Sequence, residues 1–63
     1  MSAGAHGRPI LLTVDEVAEW LKVSASTVYD WAARSRIPCV RLGGRLRFVE
    51  DDVLRWIEAR KEG

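Results

Sequence analysis

The sequence predicts a mostly α-helical fold with one β-hairpin, in the order helix, helix, hairpin, helix. Three observations support this order: helix-capping signals near residues 13 and 24, a glycine pair between two short alternating segments, and an acidic run followed by apolar residues at helical spacing. With 63 residues, the chain can hold one domain at most. We expect a flexible leader at residues 1–10 and a folded domain at residues 11–61.

The first helix is predicted from the four residues Thr13 to Glu16. Their spacing is that of a capping box, in which a threonine hydroxyl and a glutamate carboxylate each accept a hydrogen bond from the other residue's backbone N–H. Apolar residues follow at helical spacing, at Val14, Val17, Ala18 and Leu21. A helix is therefore expected over residues 14–21.

The second helix is predicted to follow almost at once. Ser24 is a favourable N-cap, and only Lys22 and Val23 separate it from the first helix. We expect this helix over residues 25–34, with its inner face formed by Val28, Trp31 and Ala32. Two short helices joined so tightly must cross steeply, which is the helix-turn-helix unit.

A hairpin is predicted after Pro38, which ends helical structure and favours an extended residue before it. Apolar residues and arginines alternate on both sides of Gly43-Gly44, a pair that permits the positive φ angles of a two-residue turn. From the period of two along a strand, we expect the side chains of Arg41, Arg45 and Arg47 to share one face.

A third helix is predicted from the acids Glu50, Asp51 and Asp52, because the positive end of a helix favours negative charge. Val53, Trp56 and Ile57 then follow at helical spacing. Large aromatic side chains at packing positions usually bury, so we expect all three tryptophans in the core rather than as stacking platforms for single strands. They are Trp20, Trp31 and Trp56.

The charges are unevenly distributed. Residues 34–49 carry five arginines and no acid, whereas residues 1–33 hold two basic and four acidic residues, and residues 50–63 hold three basic and five acidic residues. Such a cationic middle indicates an anionic partner. One cysteine, Cys39, excludes an internal disulfide and fits a cytoplasmic protein. With His6 as the one histidine, in the leader, we expect no metal, no cofactor and no enzyme activity.

Four segments in order resemble one known family. They are LTVDEVAEWLKVS, STVYDW, IPCVRLGGRLRF and DDVLRWI, and the resemblance covers about residues 11–57. The combination is similar to the excisionase-type, MerR-related helix-turn-helix domain. The resemblance implies a winged helix-turn-helix fold in which the second helix enters the major groove of DNA and the hairpin, or wing, lies along the backbone or reaches the minor groove.

The sequence departs from that family pattern at three positions. Lys22 and Ser35 stand where the family often has glycine, so either residue is strained if its φ is positive. Asp30 stands where the second helix is often basic. It could accept a hydrogen bond from a cytosine amine or form an ion pair with Arg34 at i, i+4.

The candidate DNA-contacting residues lie on the second helix and the wing, apart from Arg36, which lies between them. Ser26 and Thr27 are expected near phosphates or base edges at the positive end of the helix, although a capping role is the alternative. Tyr29 could place its hydroxyl on a phosphate or serve structure alone. The full set is Ser26, Thr27, Tyr29, Asp30, Arg34, Arg36, Arg41, Arg45 and Arg47.

The resemblance implies a bacterial or phage protein that binds double-stranded DNA. The first hypothesis is an excisionase, or recombination directionality factor, which binds as several copies and bends an attachment site for an integrase. The second is a small transcriptional regulator with the same fold. A third, remote hypothesis is a module whose arginines bind an acidic protein. No membrane partner is expected, because no apolar run approaches the ~20 residues of a membrane span.

Overall fold

A computed structural model of the chain describes residues 7–61. The helices are α1 (Val14–Leu21), α2 (Ala25–Ala33) and α3 (Glu50–Ala59). The strands are β1 (Leu11–Leu12), β2 (Val40–Leu42) and β3 (Arg45–Val49), in an antiparallel sheet of order β1-β3-β2. Three helices and this sheet form a winged helix-turn-helix, and every helix and strand predicted from the sequence is present.

Side-chain caps begin α1 and α2 as the sequence predicts. In the capping box, the Glu16 N–H donates to Thr13 Oγ1 over 3.2 Å and the Thr13 N–H donates to Glu16 Oε1 over 2.8 Å. The Ser24 hydroxyl accepts from the Thr27 N–H at the start of α2. The first residue before α3, Val49, has no side chain that can cap, so the acids of its first turn take that role electrostatically.

Both helices of the pair end in a left-handed residue that is not glycine. Lys22 follows α1 with φ of 62°, and Ser35 follows α2 with φ of 55°. The next N–H reaches back to close each end, from Val23 to Ala18 O over 3.0 Å and from Arg36 to Trp31 O over 2.8 Å. These are Schellman motifs, which usually place glycine at the left-handed residue. The two departures from the family pattern are therefore backbone-strained positions.

The wing, residues 40–49, is closed by Gly43 and Gly44 with φ angles of 55° and 84°. Positive φ at both central residues is the requirement of a type I′ hairpin turn. Strand β1, which the sequence analysis did not predict, pairs Leu11 with Val49 and Leu12 with Phe48. It lies beside the base of the wing and leaves the outer part of β3 unpaired on that side.

The core is aliphatic around one aromatic ring, and it lies between the helix pair and the base of the wing. Phe48 is fully buried, together with Val17, Val28 and Val53. The remaining buried residues are Val14, Ala18, Ala32 and Ile37. No helix among residues 7–61 has the length and apolar character needed to cross a bilayer.

The prediction that all three tryptophans lie in the core is wrong. Trp20 is exposed, because it lies at the edge of the apolar stripe of α1. Trp31 and Trp56 are half-buried and pack against each other at the periphery, with ring centroids 5.4 Å apart. The Trp56 indole N–H donates to the Arg36 carbonyl over 2.7 Å, and the Arg60 guanidinium lies 4.2 Å above the same ring. This pair ties the end of α2 to α3.

Candidate nucleic-acid interface

The exposed side of α2 is a stripe at helical spacing. Its residues follow i, i+3, i+4, i+7 and i+8, the positions that share one helix face. They are Ser26, Tyr29, Asp30, Ala33 and Arg34. We call this the α2 stripe. Val28 and Ala32 on the opposite side are buried in the core, so the core packing fixes which side of α2 faces outward.

Thr27 lies outside this stripe. Its side chain is half-buried, and its hydroxyl lies 2.9 Å from Ser24 Oγ, while the Ser26 hydroxyl lies 3.1 Å from the same atom. Thr27 is therefore half-buried at the start of α2 and contacts the N-cap, which is the capping alternative raised by the sequence. Ser26 is exposed. The three hydroxyls form a small polar cluster at the positive end of α2.

Asp30 and Arg34 form an ion pair along the α2 stripe. Arg34 Nε donates to Asp30 Oδ1 over 3.0 Å, and both side chains are more than half exposed. The i, i+4 alternative raised by the sequence is the arrangement observed. Exposed pairs of this kind on a helix contribute roughly 0.3–0.5 kcal/mol to stability.

The arginines of the wing do not share one face. The register places Arg45 opposite Leu42, Arg47 opposite Val40, and Arg41 opposite Leu46. Because directly opposed residues of an antiparallel pair point to the same side, Arg41 lies on the other face from Arg45 and Arg47. The expectation of a common face for all three is wrong, since a two-residue turn reverses the alternation between the strands.

A groove brings the wing and α2 together. It is lined from α2 by Tyr29, which is 56% exposed, and from the wing by Arg45 and Arg47. The first turn of α1 forms its third side. The lining residues are Thr13, Val14, Asp15, Tyr29, Gly44, Arg45, Leu46 and Arg47. We call this the α2–wing groove.

The donors of the α2–wing groove are held to different degrees. Arg47 is half-buried, and its Nη1 donates to the Leu46 carbonyl over 2.7 Å, which orients its guanidinium along the strand. Arg45 is exposed and forms no ion pair with any residue in the range 7–61. The groove therefore combines a guanidinium bound to a backbone carbonyl, an exposed guanidinium without an ion pair among residues 7–61, and a phenol hydroxyl.

Arg36 lies elsewhere. It lines a second concavity with Ser35, Pro38, Cys39 and Trp56, on the side of the tryptophan pair. Of the nine predicted contact residues, the structure thus gathers Tyr29, Arg45 and Arg47 in one groove. Ser26, Asp30 and Arg34 continue from Tyr29 along the stripe, whereas Arg36 and Arg41 belong to neither.

Ala33 and the groove residues of α1 are not among the contact residues predicted from the sequence. Ala33 lies within the α2 stripe, and a helical count from Ser26 would have placed it there. Thr13 and Asp15 line the groove because α1 begins beside β3, which no local pattern reveals. Among residues 7–61, no group of three metal-ligating side chains lies together, and His6 falls outside that range.

Comparisons with known proteins agree with this architecture. The chain is 41% identical over 44 residues to an uncharacterized protein, YvgK, of Bacillus subtilis (strain 168), and that match covers 70% of the chain. The chain spans only 14% of the length of that relative. No solved structure matches. The family model described as a helix-turn-helix domain matches residues 11–61, and a helix-turn-helix domain implies DNA binding. The chain belongs to the helix-turn-helix domain family.

Proposed function

We propose that this protein recognises a specific site on double-stranded DNA, with α2 in the major groove and the wing on neighbouring phosphates. We further propose that it acts as an excisionase-type factor, bending DNA at an attachment site. The observation that carries the proposal is the α2–wing groove, because Tyr29, Arg45 and Arg47 line it together. One duplex can then contact the exposed side of α2 and the wing at the same time.

The α2 stripe suits the major groove in size and chemistry. An α-helix with its side chains is about 10–12 Å across, and the major groove is about 12 Å wide. Along the stripe stand a hydroxyl, a methyl group, a carboxylate and a guanidinium, from Ser26, Ala33, Asp30 and Arg34. Each is a type of group that distinguishes base edges in that groove.

The wing suits the phosphate backbone. Arg45 and Arg47 point to the same side of β3, and neither forms an ion pair with a carboxylate in the described range. Guanidinium groups bind phosphate in a bidentate way, and a tyrosine hydroxyl can donate to the same oxygens. Arg41, on the opposite face, is left out of this contact.

The excisionase assignment rests on the family and on the charge pattern. The helix-turn-helix family matched here includes excisionase-like small DNA-binding domains. The first turn of α3 carries three acids, while the wing carries three arginines. Copies bound side by side could dock acid to arginine, and an integrase would be the partner at the attachment site. Bending a site by 40–90° costs about 1–6 kcal/mol, which contacts from several copies would offset.

A transcriptional regulator is the second candidate, and one observation favours it. The similar segment of YvgK is a small part of a much longer chain. In such an arrangement the module would direct a larger protein to its DNA site. The residues that contact DNA would be the same, so the two roles differ in what happens to the DNA after binding.

DNA binding is tested by selecting duplexes from a random pool and titrating the selected and an unrelated duplex over a salt series. We expect clear preference for the selected duplex. Each neutralised phosphate contributes about −0.9 to the slope of log K against log salt, so two wing arginines predict a slope of about −2 or steeper. A slope near zero, or equal affinity for both duplexes, would contradict the proposal.

The excisionase role is tested by the shape of the complex. Electrophoresis of circularly permuted fragments measures bending, and titration of a single labelled fragment counts the copies bound. We expect a bend and cooperative binding of more than one copy. One independent copy on straight DNA would contradict the excisionase role and support the regulator.

A further inference from the structure

The Asp30–Arg34 ion pair lies where the proposed function places the bases. Both residues belong to the α2 stripe, and the pair joins Arg34 Nε to Asp30 Oδ1 over 3.0 Å. We infer that Asp30 is a positioning residue, which holds the Arg34 guanidinium so that it selects a guanine in the major groove. This inference rests on the proposed DNA binding and assigns base specificity to one pair of side chains.

The donors of Arg34 decide what the pair can bind. A guanidinium has five N–H donors, one on Nε and two on each terminal nitrogen. Asp30 engages Nε, which leaves both terminal nitrogens for a ligand. Two donors side by side match the O6 and N7 acceptors of guanine, the commonest specific contact in protein–DNA complexes. The ion pair therefore leaves free the part of the side chain that recognises this base.

The carboxylate also needs an explanation on electrostatic grounds. An acid on the face of a helix that enters a groove between phosphates lowers affinity for every sequence, because like charges repel. A neutralising and orienting role for Asp30 accounts for its place beside an arginine. Ordering a long side chain before binding also removes part of the entropy cost that a free arginine would meet on the base.

The chain contains a matched control for this pair. Arg55 Nη2 donates to Asp52 Oδ1 over 2.8 Å on α3, with both side chains partly or largely exposed. The chemistry is the same, an aspartate and an arginine one helical turn apart. Neither residue belongs to the α2 stripe or lines the α2–wing groove. Breaking this second pair with Arg55→Ala removes the same charge as Arg34→Ala but leaves the proposed base contact intact.

The experiment measures binding to the selected duplex, to an unrelated duplex, and to variants in which each base pair of the selected site is replaced in turn. The proteins are wild type, Asp30→Ala, Arg34→Ala, the double variant, and Arg55→Ala as control. Circular dichroism verifies that each variant folds. We expect Arg34→Ala to lose preference for one guanine, roughly tenfold or more.

Asp30→Ala is expected to change general DNA affinity and base preference in opposite directions. Affinity for the unrelated duplex rises, because a negative charge is removed, while preference for that same guanine falls roughly two- to tenfold. The double variant should show no further loss beyond Arg34→Ala. Arg55→Ala should leave the preference at every position unchanged.

Two results would overturn the inference. In one, Asp30→Ala keeps the wild-type preference at every position, so the pair is a solvated surface contact. In the other, Asp30→Ala loses preference at a position that Arg34→Ala retains, so the carboxylate itself contacts a base, such as a cytosine amine. Failure of the proposed function is a separate result, since wild type would then show no preference among duplexes.

Discussion

The α1–α2 pair and the wing are held in the molecule in different ways. Of the eight buried residues in the range 7–61, five belong to α1 and α2, namely Val14, Val17, Ala18, Val28 and Ala32. The wing contributes Phe48, at its base, and residues 41–45 at its tip are all exposed. The helix pair is therefore fixed along its length, whereas the wing is fixed at one end. Stability and phosphate contact can thus be changed separately.

Substitution at the base of the wing should change the free energy of unfolding most. Phe48→Ala removes a fully buried ring and is expected to lower the free energy of unfolding by about 3–5 kcal/mol. That is most of the stability of a small domain, so the variant should be largely unfolded. Urea titration followed by circular dichroism measures the change.

A matched substitution near the tip sharpens the same comparison. Leu42 is 48% exposed, so Leu42→Ala should change the free energy of unfolding by no more than about 0.5 kcal/mol. Phe48→Leu should give an intermediate, measurable loss if Phe48→Ala does not fold. Equal losses of unfolding free energy for Leu42→Ala and Phe48→Leu would contradict the conclusion that the wing is held in the core at its base only.

Loss of the N-cap of α2 should cause the next largest decrease in the free energy of unfolding. Ser24 accepts from the Thr27 N–H and lies within 3.1 Å of two further hydroxyls, so Ser24→Ala is expected to lower the free energy of unfolding by about 1 kcal/mol. Ser26→Ala, which removes a hydroxyl that makes no capping bond, is the control and should change it little. A larger loss for Ser26→Ala would show that the cap is assigned to the wrong residue.

Glycine substitutions at the two left-handed residues should change the free energy of unfolding less, and should raise it. Glycine adopts φ near 60° without steric penalty, so Lys22→Gly and Ser35→Gly should each raise the free energy of unfolding by about 0.5–1 kcal/mol. The same thermal or urea titration measures the gain. Destabilisation by either change would mean that the side chain of that residue contributes more than its backbone strain.

Local signals predicted most of the fold, and long-range pairing explains what they missed. Thr13, Glu16 and Ser24 fixed the starts of α1 and α2, and Gly43-Gly44 fixed the turn, because each acts within four residues. Strand β1 has two residues, too few for an alternation pattern, and it exists through its pairing with Phe48 and Val49.

The candidate site was predictable in part for the same reason. Tyr29, Asp30 and Arg34 follow from helical spacing on α2. The predicted face of Arg41 is wrong, although the turn contains the information needed to place it. A two-residue turn that places Leu42 opposite Arg45 also places Arg41 opposite Leu46. Trp20 is 38% exposed because it lies at the edge of the apolar stripe of α1, whose buried side is formed by Val14, Val17 and Ala18.

The most direct test of the central claim compares two arginines of the wing. Arg45 lines the α2–wing groove, and Arg41 carries the same charge on the opposite face. Arg45→Ala should weaken binding to all duplexes and make the salt slope shallower by about 1, while Arg41→Ala should leave the slope within error of wild type. Equal changes in the two variants, or a change confined to Arg41→Ala, would contradict a DNA surface shared by α2 and the Arg45 face of the wing.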